Sequence, residues 1–206
     1  MPSIETSLRG LLNRVSESNK CIIVRNLTDL LKDINEDNAQ SEAIVKFIEK
    51  LFQKCVSERN FTELYVDILY ETLVSIRPTH PDLASKIYRS LVIHSQKEFE
   101  EDITPNNRMD KINCTRFIAQ LTNKKFINSK ILHDILMSLL ESGNQYKYEL
   151  ACVLINQVDK AVIAAANVKG DIDFLVAEKH SHADDSMSKR IAFMLEDSLS
   201  ILHATT

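Results

Sequence analysis

The sequence predicts an all-α chain, an α-solenoid of stacked antiparallel helix pairs, and three observations predict it. Apolar residues recur at intervals of three and four through most of the 206 residues, while period-two alternation is almost absent. Only three glycines (Gly10, Gly143, Gly170) and four prolines (Pro2, Pro78, Pro81, Pro105) occur, so tight turns and left-handed backbone positions are few. The breaks between apolar stripes are short and polar, as turns joining helices are.

The elements follow in order. Ile44, Ile48, Leu51, Phe52 and Cys55 form one stripe, and after a polar break Phe61, Leu64, Tyr65, Ile68, Leu69 and Leu73 form the next. Two such helices joined by a short turn pack antiparallel. Asn60 reads as the N-cap of the second helix, with Glu63 as its capping-box partner, which leaves Ser57 to Asn60 as the turn. In Arg77 to Pro81, R-P-T-H-P, each proline biases its predecessor away from the helical region, so one helix ends and another begins. Leu83, Ile87, Tyr88 and Leu91 carry that helix to about Phe99, and the polar stretch around Pro105 is the next loop. Phe117, Ile118 and Leu121 mark a further helix. Ile131, Leu132, Ile135, Leu136, Leu139 and Leu140 mark another, closed by Gly143 at a C′ position. Leu150, Val153, Leu154 and Val158 continue the pattern, a shorter helix follows Gly170, and Met187, Ile191, Met194, Leu195, Leu199 and Leu202 line the last. About ten helices in this length is roughly one pair per 40 residues, the period of HEAT-type arrays. The reading is therefore about five antiparallel HEAT-like pairs in one structural unit. A closed bundle shares the same stripes and is the alternative architecture.

Composition narrows the function. With 44% hydrophobic and 26% charged residues the chain folds without long disordered tails. Cys21, Cys55, Cys114 and Cys152 lie far apart, with no C-x-x-C pair and no secretory signal ahead of them, which suits a reducing cytosol or nucleus. No apolar run reaches the roughly 18 to 20 residues of a membrane-spanning helix. The net charge of −4 gives no general pull toward nucleic acid or anionic membrane.

Motifs for chemistry are scarce. No glycine-rich phosphate loop or nucleophile elbow occurs, which disfavours nucleotide enzymes and hydrolases; no catalytic residue, metal, cofactor or small-molecule substrate is assigned. His180, His182, Asp184 and Asp185 offer nitrogen and oxygen ligands, but a solvated loop before the last helix accounts for them better. His133 beside Asp134 sits among apolar helix residues and reads as structural. Cys114 beside Arg116 reads as a buried, inert thiol. Lys124, Lys125 and Lys130 surround Phe126, and two roles fit them: a small RNA-phosphate site with an aromatic beside it, or a solvated interhelix loop.

Six stretches resemble, in order, the middle domain of translation initiation factor 4 gamma. They are L-R-G-L-L-N-R-V-S (Leu8 to Ser16), F-Q-K-C-V-S-E-R-N-F-T-E-L-Y (Phe52 to Tyr65), S-Q-K-E-F-E (Ser95 to Glu100), R-F-I-A-Q-L (Arg116 to Leu121), L-H-D-I-L-M-S-L-L (Leu132 to Leu140) and S-K-R-I-A-F-M-L-E-D (Ser188 to Asp197). The resemblance spans nearly the whole chain and implies one middle domain over residues 1–206. It further implies a non-catalytic, cytoplasmic scaffold that holds both lobes of a DEAD-box RNA helicase of the initiation factor 4A type and stimulates it during translation initiation. Related middle-domain scaffolds serve mRNA decay, deadenylation and splicing, and that is the alternative, with a plain RNA-binding module as a third reading. Where the family carries basic residues and a glycine before its F-I-G-E-L segment and a glycine within it, this chain has Met109, Asp110, Asn113 and Ala119, which implies at most weak binding of mRNA.

The resemblance also implies contact residues. Phe61, beside the turn, is the leading helicase anchor, with Glu58, Arg59 and Asn60 as its polar rim; the other role open to Phe61 is the first core position of its helix. Leu12 and Val15 match a family position linked to helicase binding, and first-helix core packing is their other role. Arg190 and Phe193 on the last helix are the residues for the second lobe.

Overall fold

The computed structural model describes residues 4–32, 38–165, 174, 176–178 and 188–204. Every regular element among them is helical. The all-α class is the one the apolar periodicity predicts, and the chain divides into two compact units, residues 1–101 and 102–206.

The first unit holds α1 (Ile4–Leu12), α2 (Lys20–Lys32), α3 (Asn38–Ser57), α4 (Thr62–Ile76) and α5 (Pro81–Glu100). α3 packs between α1 and α5, and α2 lies along α4, so the helices form two layers of consecutive hairpins. The predicted stripes are the buried ones: Ile44, Ile48, Leu51, Phe52 and Cys55 on α3, and Leu64, Tyr65, Ile68, Leu69 and Leu73 on α4. Each fully buried Leu or Ile contributes about 1.5–3 kcal/mol relative to an exposed one. Phe61 departs from its stripe. It precedes α4 in a short 3₁₀ turn, Arg59–Phe61, and stays 43% exposed. Polar ties add register to this packing. Lys20 of α2 places its Nζ 2.9 Å from Asp67 Oδ2 and 2.8 Å from Glu71 Oε1 on α4. Between α3 and α5, the rings of Phe52 and His94 meet edge to face at 4.8 Å.

Helix limits follow local chemistry, with one correction. Asn60 does not cap α4: the 3₁₀ turn carries the chain on to Phe61, which takes the N-cap position without a side-chain bond. Thr62 does the tying instead, its hydroxyl donating 2.8 Å to the carbonyl of Cys55 on α3. α5 opens on Pro81, whose missing N–H suits a first helical turn.

The second unit holds α6 (Arg108–Asn123), α7 (Ser129–Leu140), α8 (Gln145–Gln157), α9 (Lys160–Ala165) and α10 (Lys189–His203). α8 packs against α6, α7 and α10, and α9 against α7. Asn128, Asn144 and Ser188 cap α7, α8 and α10 by accepting from Ile131, Tyr146 and Ile191 amides. Gly143 does adopt a left-handed conformation, φ +70°, but two residues beyond the C-cap Glu141 of α7, one later than the spacing suggests. Of the short helix expected after Gly170, residues 174 and 176–178 are helical; Met187 lies outside the described residues.

One polar group organises this unit. Glu149 of α8 is 2% exposed, and the carboxylate is held by two arginines. Arg108, the first residue of α6, donates from Nε to Oε2 and from Nη2 to Oε1, both at 2.7 Å. Arg190, at the start of α10, donates from Nη2 to Oε1 at 2.5 Å. Burial pushes the Glu149 carboxyl up, but the bonds from Arg108 and Arg190 outweigh it and hold the group below its ordinary value of 4.5.

Removing a counter-ion from a buried carboxylate costs more than the pair contributes. The double variant Arg108→Met, Arg190→Met is expected to lose about 3–5 kcal/mol in denaturant unfolding. Each single variant leaves Glu149 one partner, so the double loss exceeds the sum of the singles; additive losses would contradict the triad. The folded pKa of Glu149 lies below its unfolded value, so the folded chain binds fewer protons there. Its contribution is complete above about pH 4.5 and lost as acid titrates the folded carboxylate.

Candidate functional site

The turn between α3 and α4 is built to hold an exposed aromatic still. Glu58, just past α3, donates its amide to the Lys54 carbonyl at 2.8 Å, and the amide of Phe61 returns to the Glu58 carbonyl at 2.8 Å. The Glu58 side chain is doubly occupied. Oε1 lies 2.6 Å from Lys54 Nζ, and Oε2 accepts from the Tyr65 hydroxyl at 2.6 Å. These two bonds, Lys54 first and Tyr65 second, hold the Glu58 carboxyl below the usual range. Tyr65 is buried in the core, and burial together with its bond to Glu58 raises its phenol. A buried ring thus anchors the turn from below through one carboxylate, while Phe61, Arg59 and Asn60 remain exposed. Among the described residues the side chains of Arg59 and Asn60 make no hydrogen bond or ion pair, so both are available to a partner; Glu58 is committed to the turn.

The other residues singled out in the sequence fall as follows. Leu12 is 2% exposed, a core residue of the first unit, and offers a partner almost no surface. Val15 is half-buried in the turn after α1, where Arg14 Nε donates to the Gly10 carbonyl at 3.0 Å. Phe193 on α10 is exposed at 65%, whereas Arg190 on the same helix is engaged with Glu149 and lies 3.6 Å from Met194 Sδ. The α6–α7 loop places Lys125 at the surface, in a left-handed conformation at φ +62°, and Lys124 half-buried, while Lys130 is exposed on the first turn of α7. Phe126 is buried at 8%, so it offers no free face to a base. Val15, Leu12 and the lysines share no element with the Phe61 turn.

Reactive groups are muted. All four cysteines are free, and Cys55, Cys114 and Cys152 are buried. Burial raises the Cys55 thiol and pushes Cys152 up to about 11, so neither is thiolate at neutral pH. His133 Nδ1 stands 3.6 Å from Asp134 Oδ1 on an exposed stretch of α7. No cluster of three or more His, Cys, Asp or Glu suited to a metal occurs among the described residues, and His180, His182, Asp184 and Asp185 lie outside them. Among the described residues no helix is long and apolar enough to cross a membrane.

Sequence reasoning missed Glu149. Its signal was present as a carboxylate between Tyr148 and Leu150, at the head of the buried run Leu150, Ala151 and Cys152. Its partners, 41 residues away on either side, follow no local pattern.

If Glu58 sets the turn, Tyr65→Phe removes one hydrogen bond to a charged group and lowers stability by about 1.5–3 kcal/mol. The Glu58 titration should move up toward 4.5 in the same variant, read by NMR. An unchanged Glu58 titration would show that Tyr65 does not hold it.

Comparison with known proteins adds the family. A family model described as the MIF4G domain matches residues 5–203. Eukaryotic translation initiation factor 4 gamma 1 of Mus musculus is 23% identical over 94% of this chain and 14% of its own length. A pre-mRNA-splicing factor CWC22 homolog of Caenorhabditis elegans is 20% identical over 96% of this chain and 21% of its own. The chain therefore spans about a seventh to a fifth of these curated relatives. Among solved structures, the MIF4G domain of Trypanosoma cruzi translation initiation factor EIF4G5 superposes with a TM-score of 0.62 and 15% identity, covering 98% of this chain and 96% of that one, which establishes a shared fold.

Proposed function

The chain belongs to the MIF4G domain family, and from that premise we propose that it is a non-catalytic scaffold that binds a DEAD-box RNA helicase of the initiation factor 4A type and stimulates it in translation initiation. On this reading both compact units form one middle domain and act in the cytoplasm. Phe61 carries the reading. It is a large aromatic, exposed, at a turn whose conformation is fixed by Glu58, Tyr65 and Thr62. A rigid, exposed ring loses little conformational freedom on binding, and such residues dominate interface energetics. Arg59 and Asn60 form its polar rim, and Phe193 is the corresponding aromatic of the second unit. Arg190 contributes by orienting α10 through Glu149, with part of its guanidinium still exposed. Leu12 acts from within, as a core residue at the end of α1, and Val15 at its margin. Lys125 and Lys130 are too few for more than weak, salt-dependent contact with mRNA.

A second reading has a specific observation behind it. Splicing-factor relatives match as much of the chain, at nearly the same identity, as initiation-factor relatives do. On that reading the same turn meets a different DEAD-box helicase in the nucleus.

Calorimetric titration of the chain with an initiation factor 4A-type helicase and with a splicing-complex DEAD-box helicase separates the two. Phe61→Ala is expected to weaken the preferred complex by about 2 kcal/mol or more, roughly 30-fold. Because Phe61 is exposed, its folding stability should change by only about 0.5 kcal/mol. Absence of binding to either helicase would overturn the scaffold reading, and unchanged affinity in the variant would remove Phe61 from it.

A further inference from the structure

A second surface of the first unit lies on different elements from the Phe61 turn. Arg77, at the end of α4, and Ser85, Tyr88, Arg89, Val92 and Ile93 of α5 line an open groove of about 260 Å³. Ser85, Tyr88, Arg89 and Val92 recur at the spacing of one helical face, while the neighbouring face of α5, Ala84, Ile87, Leu91 and Ser95, is buried in the core. Tyr88 and Ile93 are exposed at 40% and 59%. Arg77 and Arg89 are both exposed, and among the described residues neither guanidinium has a hydrogen bond or ion pair, in contrast to Arg108 and Arg190 at Glu149. In a chain of net charge −4, the charged side chains that line this groove are both arginines, so the lining itself is positive. Asp82, one turn before Lys86 on α5, is not among the residues that line the groove.

We propose that this groove docks an acidic segment of a partner protein: a side-chain carboxylate held by Arg77 and Arg89, with an adjacent apolar side chain against Tyr88, Val92 and Ile93. The planar guanidinium fork matches a carboxylate in bidentate geometry, and aliphatic residues form a floor for an apolar side chain. The volume suits one or two side chains of a short linear segment. Single-stranded RNA fits less well. It would need a cationic track and successive stacking rings, and the groove offers one ring, two arginines and aliphatic walls. The site stands whether or not the helicase reading holds, because it shares no residue with the 58–61 turn.

Fluorescence anisotropy on the full chain tests it with three labelled probes: a short peptide of alternating Glu and Leu pairs, the same peptide with Lys in place of Glu, and a short oligouridylate. The Glu–Leu peptide is expected to bind, and Arg77→Ala with Arg89→Ala to weaken it by about tenfold or more. Val92→Ser should weaken it severalfold without change in the thermal melt. The charge-reversed pair Arg77→Glu, Arg89→Glu should bind the Lys–Leu peptide instead, a gain that misfolding cannot produce. The proposal is overturned if the acidic peptide binds no better than its basic counterpart, if the arginine variants leave its affinity unchanged, or if oligouridylate is the probe those arginines capture.

Discussion

A single buried carboxylate sets the geometry of the second unit. Glu149 cannot be solvated where it sits, so its charge survives only if α6 and α10 each deliver an arginine to it. That requirement fixes the start of α6 and the start of α10 against the second turn of α8. An apolar residue at the same place would pack, but it would accept several registers of its neighbours. A carboxylate gripped on one side by a bidentate fork accepts one. The first unit solves the same problem with the signs exchanged, one lysine of α2 between two carboxylates of α4, at a more accessible place.

On the scaffold reading proposed above, these ties matter because such a chain works through shape. The short connection between α3 and α4 carries a carboxylate satisfied on both oxygens and a threonine hydroxyl bonded back to α3, so its exposed ring is held by chemistry beneath it. Cys55, buried nearby, is pushed toward the neutral thiol and leaves the packing undisturbed. Exposed and core aromatic residues are thus separated within a few residues: Tyr65 faces inward, Phe61 outward, and Glu58 bonds to the first and caps the turn that carries the second.

Much of this was legible in the sequence. The 3.6-residue stripes located the described helices of the first unit from α3 onward, because burial of one face is a local, periodic demand. The prolines at 78 and 81 marked the α4–α5 break for a reason that belongs to the chain alone. Caps were less legible. Asn60 has the right chemistry for an N-cap, but the backbone prefers a 3₁₀ turn that moves the helix start past it. Exposure was less legible still: Phe61 and Leu12 both fall on apolar stripes, and only packing separates a half-open ring from a closed core residue. Phe126 shows the converse, an aromatic among lysines that turns inward. The Glu149 triad lay beyond local pattern altogether, since its members are distant in sequence and meet only when three helices pack.

On the proposed function, the braced 58–61 turn is where a helicase is held. Hydrogen exchange read by mass spectrometry, on the chain alone and saturated with an initiation factor 4A-type helicase, tests it most directly. The account predicts slowed exchange concentrated in the segment from Ser57 to Tyr65, with the buried face of α8 around Glu149 already protected in the free chain and unaltered. Slowed exchange confined to other surfaces, with the 57–65 segment exchanging at the same rate in both samples, would contradict it.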